Sequence, residues 1–316
     1  MKKSLLLLIM LLLFTTNLVP MINGEIIKTR IDTYEKSEIR YWAVIVGIAD
    51  YYGVKNDLPV TKRHLSLLHD TLVSTNNWEK NHVKLILNED ATKEGILNGL
   101  NWLIRNSDVD DIVVFSFQGH GSSVDDEDGD ESDGKDEGIV PWEGKKGFIT
   151  DDQLDEIFSN INCTGMMLIF HSCLSGGLID KGRSLIFDKS NAFANGFSSD
   201  IEGNGRVVLM SSMDQGLALA FPSLTRQVAY GLKGYADGDI KGEQGFGVIS
   251  AEEISLYAKK QVQTIFILVF LIFPPVIISF LISEFIAKIR YGYWFLPVPQ
   301  IYDGYDGELV IAELLK

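Results

Sequence analysis

Cysteine is nearly absent from this sequence: Cys163 and Cys173 are the only two in 316 residues. The stretch between them reads as a turn followed by an extended apolar strand. Nine extended residues reach roughly 30 Å, far beyond the ~7 Å that a disulfide allows between alpha carbons. A disulfide framework is therefore not expected, and at least one thiol needs another role. Positive charge is also scarce, with 28 Lys and Arg against 43 Asp and Glu and a net charge of -15. Such a chain repels phosphate backbones, which argues against nucleic acid as a partner and for cations, metal ions included. No internal repeat is visible, and 46% apolar residues over this length suit one enzyme-sized domain with appendages.

Long hydrophobic runs are few, and both lie outside the expected domain. Residues 1–24 have a basic start (Lys2, Lys3), an apolar centre and a small, polar exit, the shape of a secretory signal or, if uncleaved, an N-terminal anchor. Residues 261–283 carry no charge and are about as long as the ~20 residues that cross a bilayer. Pro274 and Pro275 at their centre permit a kinked span or a re-entrant hairpin. Lys259 and Lys260 balance Lys288 and Arg290, so flanking charge sets no orientation and the number of crossings stays open. The expected location is secreted or membrane-anchored, with the domain (25–260) outside the cytoplasm and a tail (284–316) that packs with it.

Between these runs, short apolar stretches alternate with helical patterns, as in a parallel sheet covered by helices on both faces. The strands expected are 41–48, 82–87, 111–117, 165–170 and 206–211. The helices expected are 60–75, 92–106, 151–160, 224–235 and 251–262, with capping boxes at Thr150–Gln153 and Ser250–Glu253. One segment is strongly biased: 125–137 holds nine acids and one lysine and must be a loop.

Chemistry in open parallel sheets collects at the carboxyl ends of strands. Two strands here end in reactive residues, one in Gln118-Gly119-His120-Gly121 and the other in His171-Ser172-Cys173, followed by Gly176 and Gly177. If the two strands are neighbours, imidazole and thiol share one crevice. A thiol attacks as thiolate, and a nearby imidazole both lowers its pKa and protonates a leaving amine. Cys173 is the candidate nucleophile and His120 the candidate base, with the amides of Gly121 and Cys173 placed to hold an oxyanion. Taken singly, a histidine after a strand and a buried cysteine are more often packing residues; their joint setting is what points to catalysis.

These motifs together resemble the caspase-like cysteine peptidases, nearest to metacaspases and their prokaryotic relatives. The resemblance rests on YWAVIVGIADY (41–51), QGHGS (118–122), the acidic loop leading to GIVPWE (138–143) and HSCLSGG (171–177), within about 41–262 and again over 299–310. It implies a caspase-like α/β fold with a doubly wound, mostly parallel sheet. It also implies a cysteine endopeptidase that cleaves protein or peptide substrates through a Cys/His dyad and an acyl-enzyme, with no organic cofactor.

Metacaspases cut after Arg or Lys by means of acids in the pocket for that residue, and the matching positions here are His171 and His64. Imidazoles supply no fixed negative charge, so an acidic or polar residue is expected in place of Arg or Lys. Many metacaspases are also activated by calcium, and the resemblance assigns Asp136, Asp151, Asp152 and Asp180 as its ligands. Acids at the start of a helix, as at 151 and 152, are favoured without any metal. Two alternatives share the same residues: a membrane-tethered caspase-like binding module without useful cleavage, and a transpeptidase in which an amine resolves the acyl-enzyme.

Overall fold

Tyr41–Gly47 is an unbroken run of apolar and glycine residues, buried along its whole length, and it forms strand β1 near the centre of a sheet. Burial on both faces is what selects such a run over an alternating one. The computed structural model describes residues 39–53, 56–58, 60, 62–125, 135–174, 201–211, 224–238, 247–272 and 299–314. Strand β1 pairs with β2 (Val83–Leu87) on one side and with β3 (Ile112–Asp125) on the other, both parallel. Strand β4 (Lys135–Ile139) lies antiparallel to the far half of β3, and the short β5 (Ile149–Thr150) pairs with β4. Strand β6 (Gly165–Leu174) runs parallel to β3, and β7 (Arg206–Met210) parallel to β6. The C-terminal tail closes the far edge, where β9 (Gln300–Asp303) is antiparallel to β7, giving the order β2-β1-β3-β6-β7-β9. A second, two-stranded sheet joins β8 (Val248–Ser250) to β10 (Val310–Glu313).

The pleat divides the core in two. Trp42, Val44 and Val46 of β1 and Val113, Phe115 and Phe117 of β3 face helices α2 (Lys93–Asn106) and α3 (Asp151–Ser159), through residues such as Ile96, Leu100, Leu154 and Phe158. Ala43, Ile45, Val114 and Met167 face the other way, toward α1 (Lys62–Leu72), α4 (Leu224–Tyr230) and α5 (Ala251–Ile272). The sheet is therefore mostly parallel and covered by helices on both faces.

Local signals place the helices. Thr92 accepts from the amide of Gly95 and Thr150 from that of Gln153. Ser250 and Glu253 form a reciprocal box, each side chain bonding the other's backbone N–H at 3.2 and 3.1 Å. Four elements differ from expectation. Strand β3 runs on to Asp125 and β6 to Leu174, because each goes on pairing past its apolar run. Helix α4 ends at Tyr230 in a wider turn, Gly231–Tyr235, where Gly234 takes φ 101°. Helix α5 runs unbroken from Ala251 to Ile272, so the expected domain boundary at residue 260 falls inside it. Among the described residues no helix is long and apolar enough to cross a membrane. The 1–24 segment and the 273–283 part of the expected hydrophobic segment lie outside the described residues.

One carboxylate ties the amino ends of the central strands together. Asp111, fully buried, accepts hydrogen bonds from the backbone N–H of Arg40 and of Asp108, from the Arg40 guanidinium at 2.8 and 3.1 Å, and from Trp42 Nε1 at 2.9 Å. Its own carbonyl receives the N–H of Thr164, one residue before β6. Removing it strands several buried donors, each costing about 1–3 kcal/mol. Asp111→Ala is expected to lower unfolding free energy by about 3 kcal/mol, read from urea denaturation.

Strand β6 also carries His171 into the core, fully buried, and burial pushes its pKa down to about 4. The unfolded histidine binds a proton below about pH 6.5 while the folded one does not until about pH 4, so stability falls as pH drops through that window. A loss of about 3 kcal/mol between pH 7 and pH 4 is expected from this group. Urea titrations at pH 7, 5.5 and 4.5 should show a slope that His171→Phe reduces.

Candidate active site

The register of β3 on β6 sets His120 opposite Cys173 and Gln118 opposite His171. Residues 118 and 120 share one face of β3, and His171 lies on the same face of β6, the side covered by α1, α4 and α5, while residue 173 stands opposite residue 120 in the register. Gly121, the expected oxyanion donor, follows His120 in the same ladder, opposite Leu174. His120 and Cys173 thus sit within paired strands, whereas the sequence pattern places them just after the apolar strands. The reason is that β4 and β6 continue to pair with β3 where β1 has ended.

His120 is buried and held at several points. Its Nε2 lies 2.8 Å from the backbone carbonyl of Asn56. A carbonyl only accepts, so the neutral ring carries its proton on Nε2 and a lone pair on Nδ1. Nδ1 is buried and meets no hydrogen-bond partner among the described residues, which leaves it the basic nitrogen of the site. The backbone N–H of His120 donates to the Tyr51 hydroxyl at 2.6 Å, and the Tyr51 ring lies against the imidazole at 4.7 Å between centroids. Burial lowers the His120 pKa, and the Asn56 bond offsets part of that shift. The imidazole is therefore neutral at neutral pH and able to take a proton.

The loop after β1 that supplies Asn56 and Tyr51 is itself fixed. Asn88, buried at φ 46°, accepts from the N–H groups of Ala49 and Asp50, Asp57 accepts from that of Tyr51, and Leu58 donates to the carbonyl of Ala49. Asn88 is a residue type that tolerates the left-handed region.

Gln118 went unnoticed in the sequence reading. It is buried, and its Oε1 accepts from the Thr225 hydroxyl of α4 at 2.7 Å. With His171, neutral because its pKa is about 4, it makes an uncharged polar rank beside the dyad. The period-2 alternation along β3 would have revealed it had the strand been extended through Gln118. His64 lies exposed in the first turn of α1, so one of the two histidines is at the surface and the other in the core.

The acids divide in the same way. Asp136 is buried near the start of β4, Asp151 is fully buried at the first position of α3, and Asp152 is half-buried beside it. Because β5 pairs with β4 and leads into α3, these carboxylates ride on contiguous elements. Among the described residues no three acid, histidine or cysteine side chains are grouped so as to hold a metal ion. Asp180 lies outside the described residues. Cys163, the other thiol, has its pKa pushed up to about 11 by burial, which makes it a poor nucleophile at neutral pH.

Residues 42–182 match the family model described as metacaspase, peptidase C14 domain. Among curated proteins, the chain is 28% identical over 192 residues to Metacaspase-1B of Neurospora crassa, covering 58% of this chain and 44% of that protein. It is 34% identical over 163 residues to Metacaspase-1A of the same organism, covering 46% and 34%, and 27% identical over 183 residues to Metacaspase-1 of Botryotinia fuckeliana, covering 55% and 43%. The chain spans less than half the length of these relatives. A crystal structure of protein GSU0716 from Geobacter sulfurreducens aligns with a TM-score of 0.48 and 15% identity, covering 70% of this chain and 89% of that one. The match to the metacaspase peptidase C14 model takes in the strands of His120 and Cys173.

Proposed function

We propose that this protein is a cysteine endopeptidase in which Cys173 is the nucleophile and His120 the base. The observation that carries the reading is the His120–Cys173 register, together with an imidazole whose Nε2 is engaged by Asn56 and whose Nδ1 is not. The Cys173 thiol gives its proton to His120, and its sulfur adds to the scissile carbonyl. The resulting oxyanion would lie near the amides of Gly121 and Cys173. Collapse of the tetrahedral species expels the amine, which takes the proton from His120. Water, deprotonated by His120, then releases the acid and the thiol.

Specificity follows from the uncharged rank. A neutral His171 beside Gln118 offers no negative charge to a guanidinium or ammonium and no positive charge to a carboxylate. The preferred residue before the scissile bond is therefore an uncharged polar one. Calcium suits the chemistry of the carboxylates, and Asp136, Asp151, Asp152 and Asp180 would hold it. Its role there would be to neutralise buried acids and tie the segment after Cys173 to β4 and α3. The N-terminal segment and the apolar 261–283 segment support a secreted or membrane-anchored protein with this domain outside the cytoplasm.

A positional-scanning fluorogenic peptide library tests these points on the full chain, with calcium and with chelator. Cys173→Ala and His120→Ala are each expected to lower turnover at least about a thousandfold, while Cys163→Ser leaves it unchanged. Chelation is expected to slow cleavage, and Asn or Gln to exceed Arg, Lys and Asp before the cut. Strong cleavage after Arg or Lys would overturn the specificity reading. Turnover that survives Cys173→Ala would overturn the peptidase reading itself.

A further inference from the structure

We propose that the Tyr51 hydroxyl is a positioning group for the base: it stands in for a missing strand at the one point of β3 where the neighbouring strand changes. This rests on the reading of His120 as the base. Strand β1 accompanies β3 only as far as Gly47, opposite Gln118, where the N–H of Ile48 reaches the Gln118 carbonyl at 2.8 Å. Strand β4 takes over the same edge from Gly121, opposite Ile139, and the N–H of Val140 reaches the His120 carbonyl at 2.9 Å.

Successive residues of a strand turn their N–H and C=O groups to opposite edges, so those of His120 face the same edge as those of Gln118. The His120 carbonyl finds Val140 there, but its N–H falls in the gap between β1 and β4. A buried N–H without a partner costs about 1–3 kcal/mol and leaves the backbone under the imidazole free to shift.

The Tyr51 hydroxyl fills the gap. It accepts the His120 N–H at 2.6 Å and donates to the Val140 carbonyl at 3.2 Å, which closes a ring of three hydrogen bonds through His120, Tyr51 and Val140. The approach is so close that a Cβ on Gly119 would lie 2.6 Å from the hydroxyl oxygen and 2.8 Å from Phe117, so position 119 has room only for glycine. Tyr51 lies on the same short loop as Asn56, whose carbonyl holds Nε2. Backbone and side chain of His120 are thereby referred to one loop, and a movement of either loosens the other. The Tyr51 hydroxyl itself stays protonated, since burial raises its pKa.

The test compares Tyr51→Phe with wild type and with His120→Ala in the full chain, using a fluorogenic peptide substrate and rates referred to the fraction titrated by an irreversible thiol-directed peptidyl inhibitor. Phenylalanine keeps the ring and removes only the bridge. Its kcat is expected to fall about 30-fold with KM within about twofold. The acid limb of the pH profile should move to lower pH, because a displaced ring loses the Asn56 bond that raises its pKa. A role in folding alone would lower the melting temperature and leave the pH profile of the titrated enzyme in place.

If Tyr51→Phe does not fold, 3-fluorotyrosine at position 51 keeps the hydroxyl but makes it a poorer acceptor, and is expected to slow kcat by on the order of threefold at an unchanged melting temperature. Wild-type kcat and pH profile in the Tyr51→Phe enzyme, or in the fluorotyrosine enzyme where only that one folds, would overturn the inference. Full turnover in His120→Ala would instead remove the base reading on which it rests, whatever Tyr51 does.

Discussion

The pairing of β3 with β6 is the constraint on which the rest of the molecule depends. Ten residue pairs run from Ile112 opposite Gly165 to Gly121 opposite Leu174. The first six pairs carry the sheet's apolar core, and the last four carry the motifs that hold the candidate chemistry. Because side chains alternate with period two, a slip of one residue would turn β6 over relative to β3 and send Phe170 away from the core in which Phe115 sits. One register thus fixes the packing and sets residue 173 opposite residue 120. The bulky aromatics on the α2 and α3 face penalise any slip that would separate the thiol from the imidazole.

That register is pinned from outside the ladder by buried polar groups at both ends. At the amino end, Asp111 joins the start of β1 to the start of β3 and, through its carbonyl, to the start of β6. At the carboxyl end, Asn88 and Asp57 shape the loop after β1, and that loop carries Tyr51 and Asn56 to His120. Asp111 and Asn88 each exchange hydration for two backbone donors, which is the condition under which burying a polar side chain is tolerable. The amino end specifies the fold and the carboxyl end specifies the imidazole, with β1 as the rigid element between them.

The apolar pattern was enough to read the five parallel strands, since Tyr41–Gly47 and Arg206–Met210 are buried runs bounded by turn residues and Val83–Leu87 is a half-buried, largely apolar one. Helix starts were legible from Thr150 and Ser250, whose capping is local chemistry. The polar extensions of β3 and β6 were not, because Gln118 to Ser123 and His171 to Ser172 are extended for a tertiary reason, the presence of partner strands, that leaves no periodic apolar trace. The dyad could be named from its motifs, while its supports could not. The group holding Nε2 is a backbone carbonyl, which has no signature in sequence, and Tyr51 is one of eleven tyrosines. Strands β4 and β5 were hidden for another reason: they are short, and β4 begins in the acidic stretch that composition marks as loop.

The path of the chain around the apolar segment is constrained by what lies on each side of it. Helix α5 begins inside the domain, with Ile254, Tyr257, Ala258 and Val262 buried in the core that it shares with α4. After residue 298 the chain returns to the same core. Strand β9 pairs with β7, Leu309 and Ile311 are buried, and the Ile311 carbonyl accepts from Trp78 Nε1 at 2.7 Å. Glu252, in the first turn of α5, accepts the N–H of Leu309, so the two ends of the excursion are bonded to each other. Both flanks of residues 273–298 are therefore anchored in one folded body.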